Sequence, residues 1–317
     1  TKRKKISVIF LALTVLGNQS LYAGKERLFS AVMTGARLAN LCLANAFVVL
    51  VTYAQLKSYY GKREDEKLRQ LPDVPQNIQD WARKRLPTGT KNDVFIKIDN
   101  SVGYYESRKT AQSQFVFLGP YRVYELRKAF EYQNDPIDYN KCLSRQRIHE
   151  SGWSFDHEAG HLINNHTFKR IAGFPVVAIG THFAGKKIMD GAKWLFKIGR
   201  PRTIPSFVVQ SFGLLAGGCV KCLSNMYITM WGVCRRHEKQ ADNFANQCAQ
   251  SAQELDDIED FWQDQQKKLE KRSGTQDARL RILYALKYDP MHPMSSDRAA
   301  AIRKIREEKF GVRQKDA

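Results

Sequence analysis

The sequence predicts an α+β fold that is mainly helical and holds a small β-sheet. Three observations lead there. Residues 93–98 and 114–118 are short runs rich in β-formers. Residues 157–161 read His-Glu-Ala-Gly-His, a pattern whose chemistry needs a helix, because residues four apart share one helical face. Long stretches elsewhere read as helix, strongly apolar at 172–185 and 204–233 and polar at 254–271.

Taken in chain order, Lys2-Arg3-Lys4-Lys5 precedes an apolar run at 6–17 and a tail ending in Ala23-Gly24. Residues 1–23 therefore read as a signal peptide or a first membrane segment. An N-terminal helical region follows at 24–90. Within it, residues 38–56 carry no charge and are about long enough to cross a bilayer, with a buried helix as the other reading. Two spans would leave the basic residues after 56, and the domain behind them, in the cytoplasm. A cleaved leader would send that domain to an extracytoplasmic space, and the short apolar run with its cleavable tail favours export. Residues 57–85 are charged and helical, broken by Pro72 and Pro75, with a short helix at 77–85.

The domain proper runs from 91 to 308. Its β-formers lie at 93–98, 100–104 and 114–118. A helix at 121–132 is closed by Asn134-Asp135-Pro136. The helix at 156–167 carries the two histidines. In the apolar stretch 204–233, Gly213, Gly217 and Gly218 allow close helix packing, while the lone charge of Lys221 is expensive in lipid. Phe261 and Trp262 anchor the polar helix 254–271, a further helix is expected at 277–288, and Ser295-Ser296-Asp297 caps a last helix from Arg298. Residues 309–317 form a basic tail.

Lys and Arg number 51 against 32 Asp and Glu, for a net charge of +19. Such a balance raises nucleic acid as a partner, but the charge is spread along the chain and no recognition motif accompanies it. No nucleic acid is expected; membrane lipids account for the charge at least as well. Of six cysteines, Cys219 and Cys222 make a lone CxxC, read first as buried filler and otherwise as a disulfide if the domain is exported.

His157 and His161 can hold a zinc ion, and Glu158 can take a proton from a water bound to it. Zinc needs a third protein ligand. Glu238 is the best candidate, and Asp242, four residues on, can orient a ligating imidazole. His237 is a rival by chemistry but leaves the helix in another direction.

These residues carry a resemblance. The HExxH, His166 five residues past it, Arg235-x-x-Glu238-x-x-Ala241-Asp242-x-x-Ala245, and His292-Pro293 with Arg298 beyond resemble the integral-membrane zinc metallopeptidases: the HtpX heat-shock protease, the CAAX prenyl endopeptidase, the mitochondrial Oma-type protease and BepA-like periplasmic relatives. The resemblance covers residues 93–305. It implies a zincin-like domain, one Zn2+ on His157, His161 and Glu238, Glu158 as base, and Asp242 behind the ligands. It also implies His292 and Arg298 near the cleft as candidate oxyanion donors, and a peptide or protein substrate. It further implies an edge strand that binds the substrate backbone by β-addition, expected at 100–104 with Asn100, Ser101 and Val102. A role in membrane or envelope protein quality control or processing would follow. A membrane-associated chaperone or assembly factor with little proteolysis is the alternative, against which the intact Glu158 argues. Three departures stand out: a long stretch at 119–156, Asp156 directly before the first histidine, and Gly152 early in the active-site helix.

Overall fold

The computed structural model describes residues 49–87, 90, 94–195, 227–273 and 292–311, with single positions at 31, 34, 35, 220, 223 and 224. The leader reading at 1–23, most of the candidate span at 38–56, most of 204–233, the Cys219–Cys222 pair and the helix expected at 277–288 lie outside them. Among the described residues, no helix is long and apolar enough to cross a membrane.

The chain divides into two compact units, residues 1–53 with 173–229, and residues 54–172 with 230–317. In the first, the described residues are helical, and Val176, Ile179 and Phe183 are exposed. Every residue of the candidate site belongs to the other unit.

After a helical stretch ending at residue 60, that unit continues with two short helices, α1 (Lys62–Arg69) and α2 (Gln76–Arg85), separated by the two prolines. Three strands follow: β1 (Val94–Ile98), β2 (Tyr105–Lys109) and β3 (Gln114–Leu118), in the order β1-β3-β2. β3 pairs in parallel with β1 and antiparallel with β2. A central strand is covered on both faces, which is why Phe115 to Leu118 is apolar throughout instead of alternating. Val116 and Leu118 face a core with Ile78, Leu126, Phe155 and Leu162, while Phe115 and Phe117 pack with Leu68 on the other side.

The unit continues through α3 (Pro120–Tyr132) and α4 (Asp138–Ile163), the helix that carries the paired histidines. The unexpected length at 119–156 is thus helical. Pro120 starts α3 at a position where its missing N–H is no loss, and α4 runs for 26 residues. α4 ends at Asn164-Asn165, where Asn165 takes a positive φ of 53° and turns the chain into α5 (His166–Leu195). A π-helical turn (Thr229–Cys234) leads into α6 (Arg235–Cys248), followed by α7 (Ala252–Ser273) and α8 (Ser295–Phe310). α8 begins three residues earlier than its expected start at Arg298, and its N-cap is Met294 with no side-chain cap bond. Another core joins α4, α6, α7 and α8 through Trp153, Ala245, Leu255, Ile258 and Ile302.

Candidate metal centre

α4 and α6 supply the converging groups. Gly160 explains how closely they meet: a Cβ there would stand 3.1 Å from both Ala241 Cα and Phe244 Cβ, so glycine lets the helices approach at the level of the histidines. His157 Nε2 lies 3.1 Å from His161 Nε2 and 3.1 Å from Glu238 Oε2, and His161 Nε2 lies 3.3 Å from the same oxygen. Donors held about 2.0–2.1 Å from a tetrahedral zinc stand roughly 3.3–3.4 Å apart. The three atoms match that spacing to a few tenths of an ångström, and their residues form a group able to share one ion.

The electrostatics agree. Burial alone would lower the His157 pKa, yet the Asp242 and Glu238 carboxylates hold it up at about 10. Burial would raise the Glu238 pKa, but hydrogen bonds to His157, His161 and His292 hold it far below the carboxylate range. A place that so favours positive charge among these donors suits a divalent cation.

Each candidate ligand is backed by another side chain. Asp242 Oδ1 stands 2.8 Å from His157 Nδ1, at an angle short of a good hydrogen bond. Trp153 stacks on the His157 ring at 5.6 Å. Arg170 donates to Glu238 Oε1 at 2.8 Å, leaving Oε2 to the histidines. Behind His161 runs a row of hydrogen bonds. With its Nε2 turned to the other donors, His161 carries its hydrogen on Nδ1, 2.8 Å from His166 Nδ1. His166 then donates from Nε2 to Gln240 Oε1 at 3.0 Å. Burial and the neighbouring His161 and His237 push the His166 pKa down to about 3, so its ring stays neutral and can accept. His237 stacks on His166 at 4.4 Å, so of the adjacent pair only Glu238 turns toward the histidines.

Glu158 lies beside the cluster, and its Oε2 accepts a hydrogen bond from Ser107 Oγ at 2.6 Å. His292 is 35 % exposed in its side chain and places Nδ1 3.1 Å from Glu238 Oε2.

Arg298 is buried. Its Nε donates to Asp242 Oδ2 at 2.9 Å, its Nη2 lies 3.4 Å from His292 Nδ1 and its guanidinium lies 4.4 Å from the Trp262 ring, so it holds Asp242 and stands beside His292. One expectation needs correction. The edge strand is β2, not 100–104. Asn100 and Ser101 sit in the turn before it, held by Ser101 N and Oγ on Asp99 Oδ1, and Val102 is buried with Leu68, Phe115 and Phe117. The Asp99 side chain favours a local turn where strand pairing was expected.

The other two departures have one cause. Asp156 is paired with Arg85, whose Nη2 lies 2.6 Å from Asp156 Oδ2 and 2.5 Å from Glu254 Oε1, all three buried. Gly152, one turn earlier, makes room for that guanidinium: a Cβ there would stand 2.6 Å from Arg85 Cζ. This ion group ties α2, α4 and α7 together at the residue preceding His157. Arg85, Ser107, Trp153 and Arg170 carried no sequence signal, since their partners lie 51 to 169 residues away, or, for Trp153, one helical turn away on a face that only the fold defines.

A helix bearing two histidines four apart, met by a carboxylate from another helix beside a small sheet, defines the class of zincin-like metallopeptidase domains. Residues 155–306 match Peptidase family M48, and the chain carries an M48 domain there, consistent with the HtpX, Oma and BepA types. The family implies zinc metallopeptidase activity on peptide or protein substrates. No curated protein and no solved structure matches the chain.

Proposed function

We propose that this protein is a zinc-dependent metalloendopeptidase in which His157, His161 and Glu238 hold the ion and Glu158 is the base. The observation that carries this reading is the convergence of His157 Nε2, His161 Nε2 and Glu238 Oε2 at tetrahedral spacing, with Glu158 alongside. A bound zinc would acidify its water and polarise the scissile carbonyl. With such a water bound, Glu158 would be the group to take its proton during attack and to return it to the leaving amine. Asp242 orients His157 and is itself held by Arg298; Arg170 keeps one oxygen of Glu238 occupied. His292, beside Glu238, is a candidate donor to the developing oxyanion. β2 lies at a sheet edge beside the active-site helix, where an extended substrate can add as a further strand.

We place this work at a membrane or in the cell envelope, on membrane-protein quality control or processing. Support comes from the uncharged stretch at 38–56, the basic balance of the chain and the exposed Val176, Ile179 and Phe183.

The test is zinc analysis together with casein cleavage, with and without a chelator. Glu158→Gln should keep stoichiometric zinc while the rate falls roughly 10²- to 10⁴-fold. Normal turnover by that variant would end the assignment of the base. Zinc at stoichiometry in a wild-type protein that cleaves nothing would favour a scaffold role.

A further inference from the structure

We propose that Ser107 is a positioning residue for Glu158, an inference that rests on the endopeptidase reading above. Ser107 is the middle residue of β2, opposite Val116 of the central strand. Strand alternation sends the side chains of Tyr105, Ser107 and Lys109 to one face. All three meet the helical layer there: Tyr105 packs against the core that contains Phe155, Ser107 donates to Glu158, and Lys109 bonds to Asn165 at the end of the active-site helix. The intervening Glu106 and Arg108 pair with each other, and Arg108 lies over Phe117 on the opposite face.

An ionised carboxylate only accepts, so the hydroxyl hydrogen of Ser107 must point to Glu158 Oε2. This fixes one oxygen of a side chain that otherwise rotates about several bonds and leaves Oε1 for the attacking water. Among the described residues, the hydroxyl is carried by the strand at the edge of the sheet, where the reading above seats an extended peptide. One rigid element thereby sets both the substrate backbone and the base, so their relative position does not depend on a loop. Sequence alone hides this, because a serine between glutamate and arginine reads as an ordinary solvated strand.

Hydrogen bonds to a charged group contribute enough that losing this one should lower kcat about 10- to 100-fold. The variants are Ser107→Ala and Ser107→Thr, the latter keeping a hydroxyl on a residue well suited to a strand. Wild-type, chelator-sensitive casein cleavage is the reference. Expected for Ser107→Ala are a lowered kcat, a KM close to wild type, and unchanged zinc affinity by competition with a chelating dye; Ser107→Thr should recover most of the rate. An unaltered kcat in Ser107→Ala, alongside an active wild type, overturns the inference and leaves the endopeptidase reading standing. Equal losses in both variants, or a parallel fall in zinc affinity, overturn it as well, by assigning the serine to the fold of the strand. A wild type that cleaves nothing removes the base, and this inference with it.

Discussion

Two buried polar clusters sit on adjacent residues of α4, and they are built on opposite plans. Around Asp156, a guanidinium supplies the positive charge: Arg85 bridges Asp156 and Glu254, and the group is complete with protein atoms. Around His157, three electron-pair donors face one another, with Arg170 touching only the outer oxygen of Glu238. The Asp156 cluster fixes a helix. The His157 cluster could hold a cation. Burial and charge are therefore poor guides to a functional centre; the direction in which lone pairs point is the better one.

The comparison can be broken or sharpened by substitution. The largest effect is expected from Glu238→Gln, which weakens one of the three donors. Its zinc affinity should fall by more than the roughly 10- to 100-fold typical of an outer partner, and hydrolysis should fall with it. Stoichiometric zinc in this variant, measured by metal analysis after dialysis, would show that the His157 cluster is no more functional than its neighbour. Next is Arg85→Met, which leaves two buried carboxylates without their cation and should destabilise the fold by about 3–5 kcal/mol, read as a lowered Tm. Replacing the whole group, with Arg85→Met, Asp156→Leu and Glu254→Leu together, should restore most of that loss and leave zinc bound, because a structural ion group can be exchanged for packing. Failure of the triple variant to bind zinc would mean that the two clusters are not separable. The smallest effect belongs to Gly152→Ala. The added methyl meets a guanidinium pinned by two carboxylates, an overpacking of roughly 1–3 kcal/mol, against the roughly 1 kcal/mol that alanine otherwise gains within a helix. Tm should fall slightly; a rise would show that Arg85 moves freely.

The same contrast explains what could be read from the sequence. His157 with His161, and Glu238 with Asp242, are each four apart, so helical geometry alone aligns them, and the family resemblance joins the two pairs. The helices at 62–69, 76–85, 120–132 and 252–273 follow from prolines and periodicity. Arg85 and Asp156 lie 71 residues apart, and no local pattern links them; without its guanidinium partner, the aspartate reads as a misfit. The edge strand was displaced for a related reason. Residues 100–104 and 105–109 have similar β-forming character, and the choice between them is made by the Asp99 side chain and by pairing with β3. Arg298 was legible as part of the site but not its direction, which depends on the stack with Trp262.

The one-residue corner at Asn165 has an electrostatic consequence. A histidine five positions beyond His161 on an uninterrupted helix would point away from it. The left-handed turn instead starts a new, long helix with His166 at its head, beside His161. The amino end of a helix carries a partial positive macrodipole that opposes an imidazolium there. The backbone thus helps His166 remain an acceptor, and the reversal gives the row from His161 to Gln240 its polarity: hydrogen is donated outward from the three converging donors.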